Sequence, residues 1–178
     1  MILCLTGFSC TGKTSVSTFF VEKYGYRLIS IRNVSHELAI YHGYSRTREW
    51  LNNTTIEEYL RICREKVISM VRNSSSTNII IDDLFDIRLW NFLVKNYKSV
   101  LFNLWVDDNT RINRICLRES LTSFSKGNEE LRFLDEWKIR FGINDVISSA
   151  SYDIDVNNKT ILEVVQEILS LEHLREEK

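Results

Sequence analysis

The sequence predicts an α/β fold in which five parallel strands form a central sheet flanked by helices. Short apolar segments of strand character alternate along the chain with longer segments whose apolar residues recur at helical spacing. This alternation is typical of a parallel sheet, because each crossover helix packs against one of its faces. The 178 residues suit a single domain over 1–178, and the absence of proline leaves Gly, Asn, Asp and Ser to mark the turns.

The N-terminal half contains two predicted strands and three predicted helices. The first strand is the apolar run Ile2–Thr6, and the helix Lys13–Tyr24 has apolar residues three and four positions apart. The second strand is Arg27–Ile31, followed by a short helical segment from Val34 to Tyr41. A longer helix, at about Thr55–Val71, repeats apolar residues along one face.

The middle of the chain adds two strands with a helix between them. Asn78–Ile81 and Val100–Val106 are short apolar segments, as expected of strands buried on both faces. The segment near Ile87–Asn96 has helical periodicity and connects them. A further helix follows the second of these strands and carries three arginines.

The C-terminal third completes the sheet. Glu119–Asn128 is rich in Ser, Thr, Lys and Gly, and it is predicted to be a mobile loop. Glu129–Arg140 is predicted to be a helix, Tyr152–Val156 the fifth strand, and Thr160–Leu174 the last helix.

Composition and charge exclude several classes of protein. The net charge of −1 and pI of about 6.3 do not provide the basic field that nucleic-acid binding requires. The four cysteines form no C-x-x-C pair and the three histidines are scattered, so neither a disulfide framework nor a structural zinc site is expected. No apolar segment is long enough to span a membrane and no signal peptide is evident. We therefore expect a cytoplasmic protein without membrane or nucleic-acid partners.

A phosphate-binding loop of the pattern G-x-x-x-x-G-K-[ST] lies between the first strand and the first helix. In this setting, loop N–H groups and the helix N-terminus direct partial positive charge at one point, where a phosphate binds. The lysine reaches the β- and γ-phosphates, and the threonine hydroxyl can coordinate Mg²⁺. We therefore expect a nucleoside triphosphate to bind. The predicted ATP-binding residues are Gly7, Phe8, Ser9, Cys10, Thr11, Gly12, Lys13 and Thr14.

Two carboxylates follow the third predicted strand. Asp82 and Asp83 stand at the carboxyl edge of the sheet, where α/β proteins bind their ligands. Asp82 is the predicted Mg²⁺ carboxylate together with Thr14, and Asp83 is the other candidate. Asp83 is equally suited to orienting the acceptor of a phosphoryl group. The alternative is that these residues only form a turn and cap the next helix.

Arg111, Arg114 and Arg118 stand at positions i, i+3 and i+7, so one helix face carries all three. Three cations beside a predicted flexible loop suit a lid, at about residues 117–130, that closes on the transferring phosphoryl group. Arg111 is assigned to ATP binding, and Arg114 and Arg118 to catalysis. The alternative is a solvated basic stripe without a ligand.

These motifs, in this order, resemble the small P-loop kinases, which comprise nucleoside monophosphate kinases, dephospho-coenzyme A kinases and uncharacterised relatives. The resemblance covers nearly the whole chain, and the phosphate-binding loop is its most specific part. It implies a three-layer P-loop NTPase fold with strand order 2-3-1-4-5 and a small helical lid. It also implies ATP as co-substrate with Mg²⁺, and an acceptor-binding insert at about residues 32–72.

Two positions depart from the family pattern. Cys10 stands where many relatives have Gly, and Asn33 where many have an Asp that holds or activates an acceptor hydroxyl. An amide cannot act as a general base, whereas a phosphate acceptor requires cations rather than a base. This favours a phosphorylated acceptor, held by Arg32, Asn33, Arg46, Arg48 and Asp83.

The expected function is transfer of the γ-phosphoryl group of ATP to a small acceptor, with a nucleoside monophosphate favoured. The predicted catalytic residues are Lys13, Asp82, Asp83, Arg114 and Arg118. One alternative is a kinase of a hydroxyl acceptor, such as a nucleoside or dephospho-coenzyme A. Another alternative is a non-catalytic NTP-binding module. The protein is expected to be a monomer or a homodimer.

Overall fold

The centre of the structure is a five-stranded sheet. Its strands are β1 (Ile2–Thr6), β2 (Arg27–Ser30), β3 (Ile79–Asp82), β4 (Ser99–Trp105) and β5 (Tyr152–Asp155). They are arranged in the order β2-β3-β1-β4-β5, and every neighbouring pair is parallel. This confirms the predicted fold class and strand order. The computed structural model describes the backbone of residues 1–176 and the side chains of residues 1–172, so the end of the predicted domain lies outside the described residues.

Nine helices surround the sheet in residues 1–176. They are α1 (Lys13–Tyr24), α2 (Ile31–Tyr41), α3 (Thr47–Asn52), α4 (Ile56–Arg72), α5 (Ile87–Asn96), α6 (Asp108–Arg118), α7 (Phe124–Arg140), α8 (Ile143–Ser148) and α9 (Ile161–Glu176). Both six-residue helices, α3 and α8, are absent from the predictions, because six residues are too few to show a periodic pattern. In that same part of the chain, no helix has the length and hydropathy needed to cross a membrane.

The alternation of side chains along β1 explains the three-layer architecture. Ile2 and Cys4 point into the cluster that α2, α4, α5 and α8 cover, whereas Leu3 and Leu5 point into the cluster under α1 and α9. All four side chains are buried, as expected of a strand in the middle of a parallel sheet. Packing on both faces therefore fixes β1, and it fixes the position of the first residue of the loop that follows.

The boundary between β2 and α2 differs from the prediction. Ile31 was expected to end the strand, but it is the first residue of α2, and β2 ends at Ser30. The Ser30 hydroxyl accepts a hydrogen bond from the backbone N–H of Asn33, which caps the new helix. The strand therefore passes into helix without a loop, because the cap sits on its last residue.

The prediction of a mobile loop at Glu119–Asn128 was wrong. Helix α7 begins at Phe124, where the Ser123 hydroxyl accepts a hydrogen bond from the N–H of Lys126, and only residues 119–123 form the turn after α6. The polar composition of this segment belongs to an exposed first turn of a helix. Helices α6 and α7 form an antiparallel pair, here called the α6–α7 hairpin. The lid predicted over residues 117–130 falls within this hairpin and stays a prediction.

Gly127 sets the spacing within this hairpin. A Cβ at residue 127 would lie 2.3 Å from the Cys116 sulfur and 3.1 Å from a methyl group of Ile112. Such distances are far below normal contact, so only glycine allows α6 and α7 to approach this closely.

We predict that Gly127→Ala destabilises the protein by about 1–3 kcal/mol, because overpacking outweighs the gain in helix propensity. Chemical denaturation measures the change in the free energy of unfolding. In a Cys116→Ala background the same substitution should cost less, since its closest clash has been removed. An unchanged or increased stability of the single variant would contradict the close approach.

Candidate functional site

The loop between β1 and α1 has a backbone that requires glycine at its first position. Gly7 has φ 129°, and a Cβ there would lie 2.3 Å from the Leu104 carbonyl oxygen. Gly12, immediately before α1, also has positive φ, at 98°. Both glycines of the motif are therefore needed for the loop conformation. Cys10 adopts φ 64°, a left-handed conformation that glycine adopts at lower cost.

Four consecutive carbonyl groups of this loop accept hydrogen bonds from cationic side chains. The Gly7 oxygen accepts from both Lys13 and Lys138, and the Phe8 oxygen accepts from Lys13. The Ser9 oxygen accepts from Arg111, and the Cys10 oxygen accepts from Arg114.

The N–H groups of the same loop have no such partners. Among residues 1–176, none of the backbone N–H groups of residues 8–12 donates to a side chain, and of these five only the Thr11 N–H lies in a hydrogen-bonded turn, that of residues 8–11. The cations hold the carbonyls on one side, and the N–H groups remain as donors for an anion. This polarity is what a phosphate-binding loop requires.

Lys13 is folded back onto the loop. Its Nζ donates to the carbonyl oxygens of Gly7 at 2.8 Å and Phe8 at 2.6 Å, and to the Thr11 hydroxyl at 3.2 Å. Burial, together with the positive charge of Lys138, lowers the pKa of Lys13 to about 8. The side chain is 6% exposed, so its ammonium group is held at the base of the loop.

Thr14 and Asp82 form the part of the site that fits Mg²⁺. The Thr14 hydroxyl donates to Asp82 Oδ2 at 2.9 Å, so the first turn of α1 and the end of β3 meet here. The other carboxylate oxygen, Oδ1, is buried and has no hydrogen-bond partner among the described residues. Burial, with the neighbouring Asp83, raises the pKa of Asp82. An orphaned carboxylate oxygen beside a hydroxyl is a donor set that a hard cation satisfies.

The remaining ligands of such a cation would come from outside the protein. Within the described residues, no group of three or more His, Cys, Asp or Glu side chains is arranged to hold a metal ion. Mg²⁺ commonly keeps several waters and is bound by one or two protein groups plus phosphate oxygens, so two protein ligands suffice.

Asp83 lies between two lysines. Its Oδ1 forms an ion pair with Lys138 and lies 3.4 Å from Lys13 Nζ. Burial opposes its ionisation, but Lys138 and Lys13 outweigh that effect and lower the pKa of Asp83 to about 2. The residue also has φ 70°, a left-handed conformation that Asp tolerates better than most residues. A carboxylate with so low a pKa is a poor general base.

Lys138 and Asp135 were missed by sequence reasoning. Both are on α7, and Lys138 is 8% exposed although it stands seven residues after Leu131, on the buried face of that helix. The available signal was a lysine on an apolar helix stripe with an aspartate three positions before it. Its partners could not be read from the sequence, because Gly7 and Asp83 are distant along the chain.

Two of the three predicted arginines reach the loop. Arg111 is 6% exposed and binds the Ser9 oxygen at 2.9 Å. Its Nη2 also donates to both carboxylate oxygens of Asp135, at 2.6 Å each. Arg114 donates to the Cys10 oxygen at 3.1 Å. The alternative of a solvated stripe is wrong for these two. Arg118 is 41% exposed and pairs with Glu119, so the structure does not bring it to the loop.

Cys10 packs against the α6–α7 hairpin rather than standing alone in the loop. Its half-buried side chain joins the small apolar cluster of Ile112, Ile115 and Leu131. The residue in place of the family's glycine therefore attaches the loop to the hairpin through apolar contact.

Two of the predicted acceptor residues follow β2 at the same edge of the sheet. Ser30 is paired in register with Asp82, so Arg32 and Asn33 in the first turn of α2 follow β2 at the edge where β3 ends. Arg32, Asn33, Arg46 and Arg48 are all exposed. The Arg48 guanidinium lies 3.8 Å from the centre of the Phe133 ring, which connects α3 to α7.

Comparison with solved structures shows the P-loop small-molecule kinase fold. An uncharacterised protein from Eubacterium ventriosum has a TM-score of 0.70 at 12% identity, covering 96% of this chain and 97% of that one. Shikimate kinase from Aquifex aeolicus has a TM-score of 0.60 at 20% identity, covering 98% of each chain. Shikimate kinase from Acinetobacter baumannii, in complex with shikimate, has a TM-score of 0.64 at 19% identity, covering 99% of this chain and 95% of that one.

No protein-family model matches the sequence, and no curated protein matches it significantly. Because the solved structures are distant in sequence, the similarity to them establishes the fold and not the activity. The narrower assignment to nucleoside monophosphate or dephospho-coenzyme A kinases stays a prediction.

The low pKa of Asp83 predicts a stability change in acid. The folded protein holds this carboxylate ionised down to about pH 2, whereas its ordinary pKa is 3.8, so the unfolded chain binds the proton first. The stabilisation is present above pH 4 and is lost as pH falls towards 2, by about 2 kcal/mol. Urea denaturation of wild type and Asp83→Asn should therefore show a smaller decline in the variant over that range. Parallel declines would contradict the ion pairs.

Proposed function

We propose that this protein is an ATP-dependent phosphotransferase acting on a small molecule. The observation that carries the proposal is the contact of Thr14 with Asp82 beside a loop whose carbonyl groups bind cations and whose N–H groups bind no side chain. A hydroxyl and a buried carboxylate at this position are the two protein ligands that P-loop enzymes use for Mg²⁺. The fold shared with small-molecule kinases supports the same conclusion.

The protein's own groups would act by positioning and charge neutralisation. The N–H groups of residues 8–12 bind the phosphates, and Lys13 neutralises charge on the transferring group. Arg114 lies over the loop, with its guanidinium 3.7 Å from the Cβ position of Gly12, and supplies a second cation there. Mg²⁺, when bound by Thr14 and Asp82, would supply further neutralisation of phosphate charge.

We propose a phosphorylated acceptor, with a nucleoside monophosphate as the first choice. The exposed cations Arg32, Arg46 and Arg48 suit an anionic acceptor. The low pKa of Asp83 and the amide of Asn33 leave neither as an effective general base for a hydroxyl.

A hydroxyl acceptor is the second candidate, because the structural neighbours include shikimate kinases, one of them in complex with shikimate. A panel of nucleoside monophosphates, nucleosides and shikimate separates these classes by which of them consumes ATP. A non-catalytic module would bind ATP and transfer phosphate to none of them.

We predict that Lys13→Ala lowers the rate of phosphoryl transfer by about 100-fold or more, because it removes a cation directed at the transferring group. The assay follows ADP formation with the best acceptor of the panel. Lys95→Ala, at an exposed lysine in the last turn of α5, is the control and should retain wild-type turnover. Wild-type turnover in Lys13→Ala would exclude catalysis at this loop.

A further inference from the structure

Lys13 and Lys138 bind the same two acceptors. The Gly7 carbonyl oxygen accepts from Lys13 at 2.8 Å and from Lys138 at 2.9 Å. The same oxygen of Asp83, Oδ1, pairs with Lys138 and lies 3.4 Å from Lys13. All these groups are buried or nearly so, with side-chain exposures of 6% for Lys13, 10% for Lys138 and 24% for Asp83. Lys138 therefore duplicates two of the contacts of the loop lysine.

This duplication matters when a triphosphate enters the loop. Lys13 then has to leave the Gly7 oxygen and Asp83, since its ammonium group cannot donate to them and to phosphate oxygens with the same protons. Without a second cation, its departure would leave a largely buried carboxylate unpaired, which is strongly unfavourable. Lys138 is already bound to both acceptors, so they remain satisfied.

Lys138 is held in place independently of Lys13. It is on α7 three residues after Asp135, whose carboxylate binds Arg111, and Arg111 in turn donates to the Ser9 oxygen. The position of α7 against the loop is therefore fixed by a second ion pair, one turn away from Lys138. When Lys13 moves, the backbone around Lys138 is not required to follow.

We propose that Lys138 is a positioning residue that retains Asp83 and the Gly7 oxygen while Lys13 transfers to the phosphates of ATP. This inference rests on the proposed function, and it adds that the affinity for nucleotide depends on a lysine with no role in binding it. Lys138 acts through Asp83: because it neutralises that carboxylate, the attraction between Asp83 and Lys13 is weaker.

The test is a double-mutant cycle on the binding of Mg·ATP, measured by calorimetry with wild type, Lys138→Met, Asp83→Asn and the double variant. Lys138→Met leaves Lys13 as the only counter-ion of Asp83, so affinity should fall about ten-fold or more. In the Asp83→Asn background no carboxylate retains Lys13, so the same substitution should change affinity by less than about three-fold.

Two controls accompany the cycle. Lys95→Met removes the same charge from an exposed position in the last turn of α5 and should leave affinity unchanged. Lys138→Gln keeps a donor for the Gly7 oxygen but not the charge for Asp83, so it should weaken binding as Lys138→Met does. It also replaces Lys138→Met in the cycle if that variant does not fold.

The outcomes separate the possible roles of Lys138. Equal losses in the Asp83 and Asp83→Asn backgrounds would mean that Lys138 attracts the phosphates directly, which overturns the proposal. No loss beyond that of Lys95→Met would also overturn it. Failure of the wild-type protein to bind Mg·ATP would instead refute the proposed function, so the two failures are distinguishable.

Discussion

The carbonyl group of Gly7 is the point on which the site depends. No side chain fits at this residue, because a Cβ would lie 2.3 Å from the Leu104 oxygen. The strand β1 before it is buried on both faces, so the position of the carbonyl is fixed by the sheet. Two ammonium groups bind this one oxygen, one from α1 and one from α7. The loop, the first helix and the α6–α7 hairpin therefore meet at a single acceptor.

Other carbonyl groups of the loop are also bound by cationic side chains. Arg111 binds the Ser9 carbonyl oxygen and Arg114 binds the Cys10 carbonyl oxygen. Asp135, on the second helix of the hairpin, holds Arg111 in place. Each cation binds a carbonyl group of the loop, and this arrangement leaves the loop N–H groups available for an anion. The cationic side chains of the hairpin are therefore bound to backbone carbonyl groups of the loop.

The fold was largely predictable because its signals are local. Alternating apolar segments predict the sheet, and the glycines and lysine of the loop predict its conformation and place in the chain. The error at residues 119–128 arose because polar composition does not distinguish a loop from a helix whose first turn is exposed and capped by Ser123. The roles of Asp83 and Lys138 were not predictable from the sequence. Their ion pair joins the residue after β3 to α7, and the two residues are 55 positions apart, so the contact depends on how these segments pack.

The most direct test of this account is a crystal structure with Mg²⁺ and a non-hydrolysable ATP analogue. We predict that the triphosphate lies within the loop, with Lys13 Nζ about 3 Å from a β- or γ-phosphate oxygen and no longer bound to the Phe8 carbonyl. Mg²⁺ should contact Thr14 and lie beside Asp82, while Lys138 remains on Asp83. A triphosphate bound away from residues 7–14, or Lys13 unmoved from Gly7 and Phe8 with the analogue in place, would contradict it.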